Sequence, residues 1–497
     1  MEKASDICLV VEGSYPYVTG GVSSWLQWLM EKMKEFTFSI VALIPEEKKH
    51  EERKYSFPDN VVLYREFVLF DYNEIEKHPP AKLSRKKWQD ISDSLYQLMK
   101  DWRKGVLSEG SISLIRDLVN NETPGIFRSF LEDEAAFALL TKVYEKRREG
   151  AGFLKYFYAH RSIHLILFRL LSLYQKLPSS KIYHSPGTGY AGMLACLKSA
   201  IDGKKSIITE HGIYLQEREM ELLKAGWLDD PYLKEMWIDF FSTICRWQYN
   251  SCDRIITLYQ GNKYLEVEYG ARAEKIMVVP NGIEVARFKE ARCSRCTKDP
   301  RMVGFVGRVD NVKDIKTFLQ VMAIVKKEYQ KVEAWIIGPT DNQPEYYTEC
   351  TELLDMLGLN DTITFTGIAD VLDYYKKMDV LVLTSIKEAM PLVVMEAMAC
   401  GIPVVTTNVG ACNELVYGLD DDGIGPAGIV ARIRDVQAIA AATVKILEDR
   451  KLASDFGENG IKRIERLYRE DLIIKQYFNI YQEEFNGGDL ILAEEAH

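Results

Sequence analysis

The chain has 497 residues, 47% of them hydrophobic and 27% charged, a globular balance that excludes disordered and collagen-like classes. Its 73 Asp and Glu outnumber 63 Lys and Arg, a net charge of −10, so no basic surplus exists to neutralise a nucleic-acid backbone. That length accommodates about two to four domains.

The cysteines are odd in number, and Cys8, Cys196, Cys245 and Cys400 fall in apolar segments. That is the pattern of buried thiols in a reducing compartment, not of a disulfide framework. Cys293 and Cys296 form an isolated C-x-x-C, read as a pair of linker thiols. The apolar run Ile7–Val11 is too short for a signal sequence, and no stretch approaches the ~18 apolar residues of a membrane span. The expectation is a soluble, cytoplasmic protein.

Along the chain, Asp6–Val11 reads as a strand, Gly13–Gly21 as a loop, Val22–Glu35 as a helix and Phe38–Ile44 as a second strand. Strand, glycine loop, helix, strand is the opening of a parallel α/β sheet, whose buried strands are continuous apolar runs. Further strands are predicted at Val61–Phe67, Lys181–His184, Ser206–Thr209, Arg254–Leu258 and Lys275–Val279. Between about 71 and 175 the rhythm gives way to charged, helix-favouring sequence, read as a helical insertion. Its stripe Ile163, Ile166, Leu167, Leu170, Leu171 and Tyr174 has the spacing of a buried helix face.

A second series begins after residue 280, with strands predicted at Met302–Val306, Glu333–Ile337, Thr362–Phe365, Val380–Leu383, Val404–Thr406 and Gly428–Val430. The fold class is therefore α/β, with two doubly wound, Rossmann-like domains facing across a cleft. The first spans 1–290 and the second 291–469. A helix over Glu470–Phe485 should return to the first domain, within a terminal segment 470–497 that ends as a loose tail. Ligands of such sheets bind outside the carboxyl ends of the strands, which makes the crevice the expected site.

Two segments carry the chemistry. In Thr384–Pro403, Pro391 suits the first turn of a helix and Gly401 its end. Glu388 then lies where strand passes to helix, and the backbone around Ala389, Met390, Pro391 and Leu392 forms an anion-binding helix start. Glu396 is the only charge in Ala389–Val405 and needs hydrogen-bond donors, from neighbours or from a ribose diol. In Gly304–Asp314, Arg308 and Lys313 are two cations on one loop directly before a helix, an arrangement suited to a diphosphate.

Together, G-R-V…K-D, the block from Glu388 to Glu396, and Val409-Gly410 with Asn413-Glu414 resemble glycosyltransferase family four. That resemblance runs from about Val303 to Tyr468 and implies a retaining, nucleotide-sugar-dependent enzyme of the GT-B fold. Glu12–Trp25 and Thr209–Tyr214 are similar to the exopolysaccharide-synthesis members. What the resemblance implies is a UDP-sugar donor, UDP-glucose or a UDP-N-acetylhexosamine, and a growing polysaccharide acceptor. It also implies membrane-bound synthesis and export subunits as partners.

By the same resemblance Arg308 and Lys313 bind the diphosphate, Glu396 the ribose and Glu388 the sugar hydroxyls. Thr366-Gly367 lies near the base, Gly20 and Gly21 let backbone approach phosphate and sugar, and His211 faces the donor sugar. No cofactor is implied. No metal is expected, because positive charge on the leaving diphosphate comes from the two cations and the helix start. Asp420-Asp421-Asp422 is read as a solvated turn. Gly423–Gly428 matches G-x-G-x-x-G but precedes a strand, so it is no dinucleotide fingerprint. An epimerase on the same fold, or a non-catalytic nucleotide-sugar-binding subunit, are the competing readings, and the intact cation and glutamate pairs argue against both.

Overall fold

A computed structural model describes residues 4–486 except 14, 19, 46–51, 71–76, 82, 121–123, 148–151, 227, 229, 294–298 and 420–421. Cys296, Asp420, Asp421 and the tail after 486 therefore lie outside the described residues. The chain divides into two compact units. The first comprises 1–257, 262–278 and 478–497; the second comprises 258–261 and 279–477.

Unit 1 is built on a seven-stranded parallel sheet. Its strands are β1 (Ser5–Glu12), β2 (Phe38–Ile44), β3 (Val61–Val68), β4 (Ser180–Ser185), β5 (Lys205–Glu210), β6 (Arg254–Thr257) and β7 (Ile276–Val278). Their order is β3-β2-β1-β4-β5-β6-β7. Every residue of β2 is buried, which is why its sequence is uninterrupted in apolar character, whereas edge strand β3 is half-buried throughout. β1 runs one residue further at each end than the apolar run Asp6–Val11, because Ser5 and Glu12 stay in the ladder.

Among the described residues the insertion carries the helices Arg85–Arg103, Glu109–Asn120, Pro124–Glu132, Glu134–Arg147 and Phe153–Leu173, and the stripe Ile163, Ile166, Leu167, Leu170, Leu171 and Tyr174 is buried. The helix Glu470–Phe485 belongs to unit 2 through Tyr477 and to unit 1 from Phe478. In unit 1 the Tyr481 hydroxyl meets His184 Nδ1 at 2.6 Å, and its ring packs edge-on against Phe36.

Unit 2 carries a six-stranded sheet of β8 (Arg301–Val306), β9 (Val332–Ile337), β10 (Ile363–Gly367), β11 (Val380–Leu383), β12 (Val404–Thr407) and β13 (Gly428–Ala431). Its order, β10-β9-β8-β11-β12-β13, is parallel throughout. Both sheets thus turn from leftward to rightward growth beside their first strand, at β1/β4 and at β8/β11. Such a reversal leaves a crevice at the carboxyl edge, because the two flanking loops diverge. The expected doubly wound α/β class is the one observed.

Unit 1 also holds an unpaired buried acid. Glu266, on the helix Gln260–Glu268, is fully buried, and among the described residues neither carboxyl oxygen has a hydrogen-bond partner. Burial first, and Glu210 second, push its pKa up to about 9, with Thr257 and Lys263 pulling the other way. The folded value exceeds the ordinary one, so this group's stabilising contribution is full below the unfolded pKa of ~4.3 and is lost as pH rises towards 9. Glu266→Gln is expected to raise stability by roughly 2–4 kcal/mol near neutral pH and to flatten the decline above pH ~4.3. Chemical denaturation of both proteins across that pH range checks it. An unchanged pH profile would mean that Glu266 is already compensated.

Candidate active site

The loop after β8 and the loop after β11 leave the carboxyl edge of unit 2 on either side of its switch point. They are stitched together there. Ile386 N–H donates to Val312 O at 2.8 Å, and the Thr384 hydroxyl donates to Lys313 O and Asp314 O at 3.1 and 3.0 Å. Asp310 Oδ1 accepts from the N–H groups of Val312 and Lys313, which holds the β8 loop in a tight turn before the helix Ile315–Glu328.

This frame brings Lys313 and Glu388 together. Their charged atoms are 2.6 Å apart, and the side chains are only 16% and 13% exposed. Arg308 is different: its guanidinium is about half exposed and lies 3.3 Å from Asp310 Oδ2. Both cations expected on this loop are matched with a carboxylate, Arg308 with Asp310 and Lys313 with Glu388.

The second glutamate has a neighbour that spacing in the sequence did not reveal. The Tyr375 hydroxyl donates to Glu396 Oε2 at 2.9 Å. Burial raises the Glu396 pKa, while Tyr375 and the positive charge of Arg287 oppose that rise. Tyr375 sits 21 residues earlier on a different helix, so only the fold joins the pair.

Several local expectations change by a residue or two. Pro391 is the N-cap of the helix Leu392–Ala399 rather than a member of its first turn, with φ −72° and ψ 110°. Val394 N–H then donates to Pro391 O, and the earlier N–H groups of that turn are those a helix cannot satisfy internally. Met390 is buried and its sulfur accepts from Asn281 N–H. Ala389 O accepts from Ala411 N–H at 2.7 Å, and Leu392 is 39% exposed. Thr366 and Gly367 end β10 rather than follow it, because the ladder with β9 continues through a register shift to Gly367.

Two glycines fit these loops to one another. A Cβ on Gly338 would lie 2.1 Å from Gly307 O, so the loops after β8 and β9 approach at backbone distance. A Cβ on Gly410, where φ is +51°, would lie 2.1 Å from Ala389 O and 2.4 Å from Glu388 O. Gly410 is thus the backing of the Glu388 loop. Gly338 N–H also donates to Gly367 O at 3.0 Å, which carries the line of loops on to Thr366-Gly367.

Asp422 is no solvated residue. It is 9% exposed and pairs with Arg463 Nε at 2.7 Å, while Arg463 itself is fully buried. Burial opposes, but Arg463 outweighs it and holds the Asp422 pKa below the ordinary range. Its carboxylate has a structural partner.

In unit 1, Gly20 caps and Gly21 opens the helix Gly21–Lys32, with open space beside both. His211 follows β5 and packs edge-on against Trp25, with ring centroids 4.5 Å apart. Its Nε2 is buried without a partner among the described residues, and burial lowers its pKa to about 4, so the ring is neutral near pH 7. Glu12, quoted above only as part of a motif, closes β1 at this unit's switch point. It accepts from Tyr190 N–H at 3.0 Å and from the Tyr214 hydroxyl at 3.1 Å. Burial raises its pKa despite Arg218 nearby.

Residues 5–274 match the family described as "Domain of unknown function (DUF3492)", and residues 287–463 match "Glycosyl transferases group 1". The capsular polysaccharide biosynthesis glycosyltransferase CapM of Staphylococcus aureus is 26% identical over 231 residues, 44% of this chain and 58% of that protein. The lipopolysaccharide core biosynthesis mannosyltransferase LpsB of Rhizobium meliloti is 30% identical over 195 residues, 37% of this chain and 54% of that protein. The chain spans about half the length of the curated relatives it matches.

Among solved structures, sucrose-phosphate synthase from Thermosynechococcus elongatus has a TM-score of 0.58 at 16% identity, covering 97% of this chain and 99% of that one. HepE of Anabaena, solved in complex with UDP, has a TM-score of 0.57 at 15% identity, covering 96% and 100%. Those likenesses carry the fold. The match over 5–274 takes in more than half of the chain, which therefore belongs to the DUF3492 family, with a group 1 glycosyl transferase domain following it over 287–463.

Proposed function

We propose that this protein is a retaining glycosyltransferase that moves a hexose from a UDP-sugar, UDP-glucose or a UDP-N-acetylhexosamine, to a growing exopolysaccharide. The acceptor we propose is of the Pel type, on the similarity of Glu12–Trp25 and Thr209–Tyr214 to PelF, the glycosyltransferase of Pel synthesis. The observation that carries the reading is the meeting of Lys313 and Glu388, 2.6 Å apart, at the switch point of unit 2. The group 1 match over the same unit supports it, as does the UDP bound by the structural neighbour HepE.

In this reading the bond between the anomeric carbon and the diphosphate oxygen breaks while a bond to the acceptor oxygen forms on the same face. The acceptor's proton passes to the leaving phosphate, which departs as UDP. Negative charge grows on the phosphates, and Lys313, Arg308 and the free N–H groups at the start of Leu392–Ala399 are held ready for it. Lys313 has three N–H donors, so it can keep Glu388 and still bond a phosphate oxygen. Glu388 takes a sugar hydroxyl, Glu396 the ribose, and Thr366-Gly367 the neighbourhood of the base. For His211, Gly20 and Gly21 the donor-side roles are those that the resemblance implies. No nucleophile and no metal is assigned; the charge is supplied by side chains and backbone. Membrane-bound synthesis and export proteins are the partners we propose.

The two glutamates test the assignment. Glu396→Ala is expected to weaken UDP binding by about tenfold, the cost of one charged hydrogen bond. Glu388→Ala should leave UDP affinity nearly intact and lower turnover instead, because its partner is on the sugar. Calorimetric titration with UDP, alongside turnover, separates them; the reverse order would refute the roles.

A further inference from the structure

The pair formed by Tyr375 and Glu396 is held more firmly than a helix surface requires. Tyr375 ends the short helix Val371–Tyr375, which Asp370 opens by accepting from Leu372 N–H at 3.1 Å. Its ring is fully buried and faces Phe288, with centroids 6.4 Å apart. Phe288 lies on the helix Val285–Cys293, which is tied to the end of Leu392–Ala399 twice. Arg292 Nε donates to Ala399 O, and the Cys400 thiol lies 3.9 Å from Phe288 O. Glu396 projects from Leu392–Ala399 and is only half-buried. Three helices thus fix the phenol ring, while the carboxylate that it meets keeps some access to solvent.

A phenol hydroxyl buried this deeply needs a partner, and a phenylalanine would fill the same space without needing one. The hydroxyl donates to Glu396 Oε2 at 2.9 Å. Burial, and the charge of Glu396 after it, hold the Tyr375 pKa well above its ordinary value, so the group remains a donor near neutral pH. One carboxylate oxygen is therefore pinned, and the other is presented in a fixed direction. Arg287, on the helix Val285–Cys293, bears on both groups through its charge. An unpinned Glu396 could turn towards that guanidinium, and a carboxylate so paired has less to offer a hydroxyl.

We infer that Tyr375 is a positioning residue for ribose recognition: by holding Oε2 of Glu396 it leaves Oε1 to accept from a ribose hydroxyl, and discrimination against deoxyribonucleotides passes through it. The inference rests on the ribose role proposed above for Glu396 and adds to it a residue outside the motifs that suggested that role. Tyr375 touches no substrate; it acts through Glu396.

UDP, 2′-deoxy-UDP and 3′-deoxy-UDP, titrated calorimetrically into the full chain and into Tyr375→Phe, test this. The wild type is expected to bind the weaker of the two deoxy ligands at least about tenfold less tightly than UDP, the worth of one hydrogen bond to a charged group. Tyr375→Phe keeps the ring and should shrink that ratio to about threefold or less, by weakening UDP while leaving the deoxy ligand nearly unchanged. A tyrosine that only fills the core would leave the ratio where it was. A ring-fluorinated tyrosine at position 375 keeps the hydroxyl and gives a second reading. Its fluorine resonance should move on saturation with UDP and much less with the weaker deoxy ligand. An undiminished ratio in Tyr375→Phe, or a resonance that responds to both ligands alike or to neither, would overturn the inference and leave the ribose role of Glu396 standing. No discrimination in the wild type would overturn both.

Discussion

Lys313→Ala is expected to lower kcat by roughly 10²–10³, the usual consequence of removing one preorganised donor from developing negative charge. Two effects coincide in this substitution. In the proposed reaction the leaving diphosphate loses a cation, and Glu388, only 13% exposed, loses the partner 2.6 Å away that holds it in place. Breaking an enclosed pair by removing one member leaves the other charge uncompensated. Losses in Lys313→Ala and Glu388→Ala should therefore be far from additive in the double variant.

Arg308→Ala should cost less, at least about tenfold, because that side chain is half exposed and its charge is partly screened. Wild-type turnover should survive excess EDTA, and added Mg²⁺ or Mn²⁺ should rescue neither variant. Activity abolished by EDTA and restored by Mn²⁺ would mean that a metal supplies the charge assigned to Lys313 and Arg308.

The second large effect is expected from Gly410→Ala. With φ at +51° and backbone oxygens of Ala389 and Glu388 at 2.1 and 2.4 Å from the new methyl, the loop carrying Glu388 has to move. A displaced loop breaks the bond from Ala411 N–H to Ala389 O and separates Glu388 from Lys313. Overpacking against backbone typically costs ~1–3 kcal/mol, and a misplacement of ~1 Å in a reacting group costs about 10²-fold in rate. Activity should thus fall about 10²-fold in a protein that still folds. Thermal melting and turnover on the same preparation check this; full activity would show that Gly410 does not back the Glu388 loop.

How much of this was legible in the sequence follows from physical scale. Strands such as Phe38–Ile44 and Val380–Leu383 were readable because a parallel strand covered on both faces is an unbroken apolar run. Their ends were less so: Glu12 and Gly367 remain in the ladder although neither is apolar. The cations and Glu388 stood out because a loop at a strand's carboxyl end has few other reasons to carry them. Tyr375 and Arg287 did not, since both reach Glu396 only through tertiary packing. Gly338 looked like an ordinary loop glycine, and Gly410 counted only as part of the Val409-Gly410 motif; close approach of two backbones leaves no local trace. Glu266 is the extreme case. It sits in a helix with charged neighbours, and nothing in that pattern marks it as fully buried.

The central claim is that unit 2 holds a uridine nucleotide, and the melting temperature in the presence of UDP, ADP and GDP tests it most directly. A ligand at 100 times its Kd adds ~2.7 kcal/mol of stability. UDP with excess EDTA is predicted to raise the melting temperature clearly, with ADP and GDP giving much smaller shifts at the same concentration. An equal shift from ADP or GDP, or none from UDP, would contradict the account.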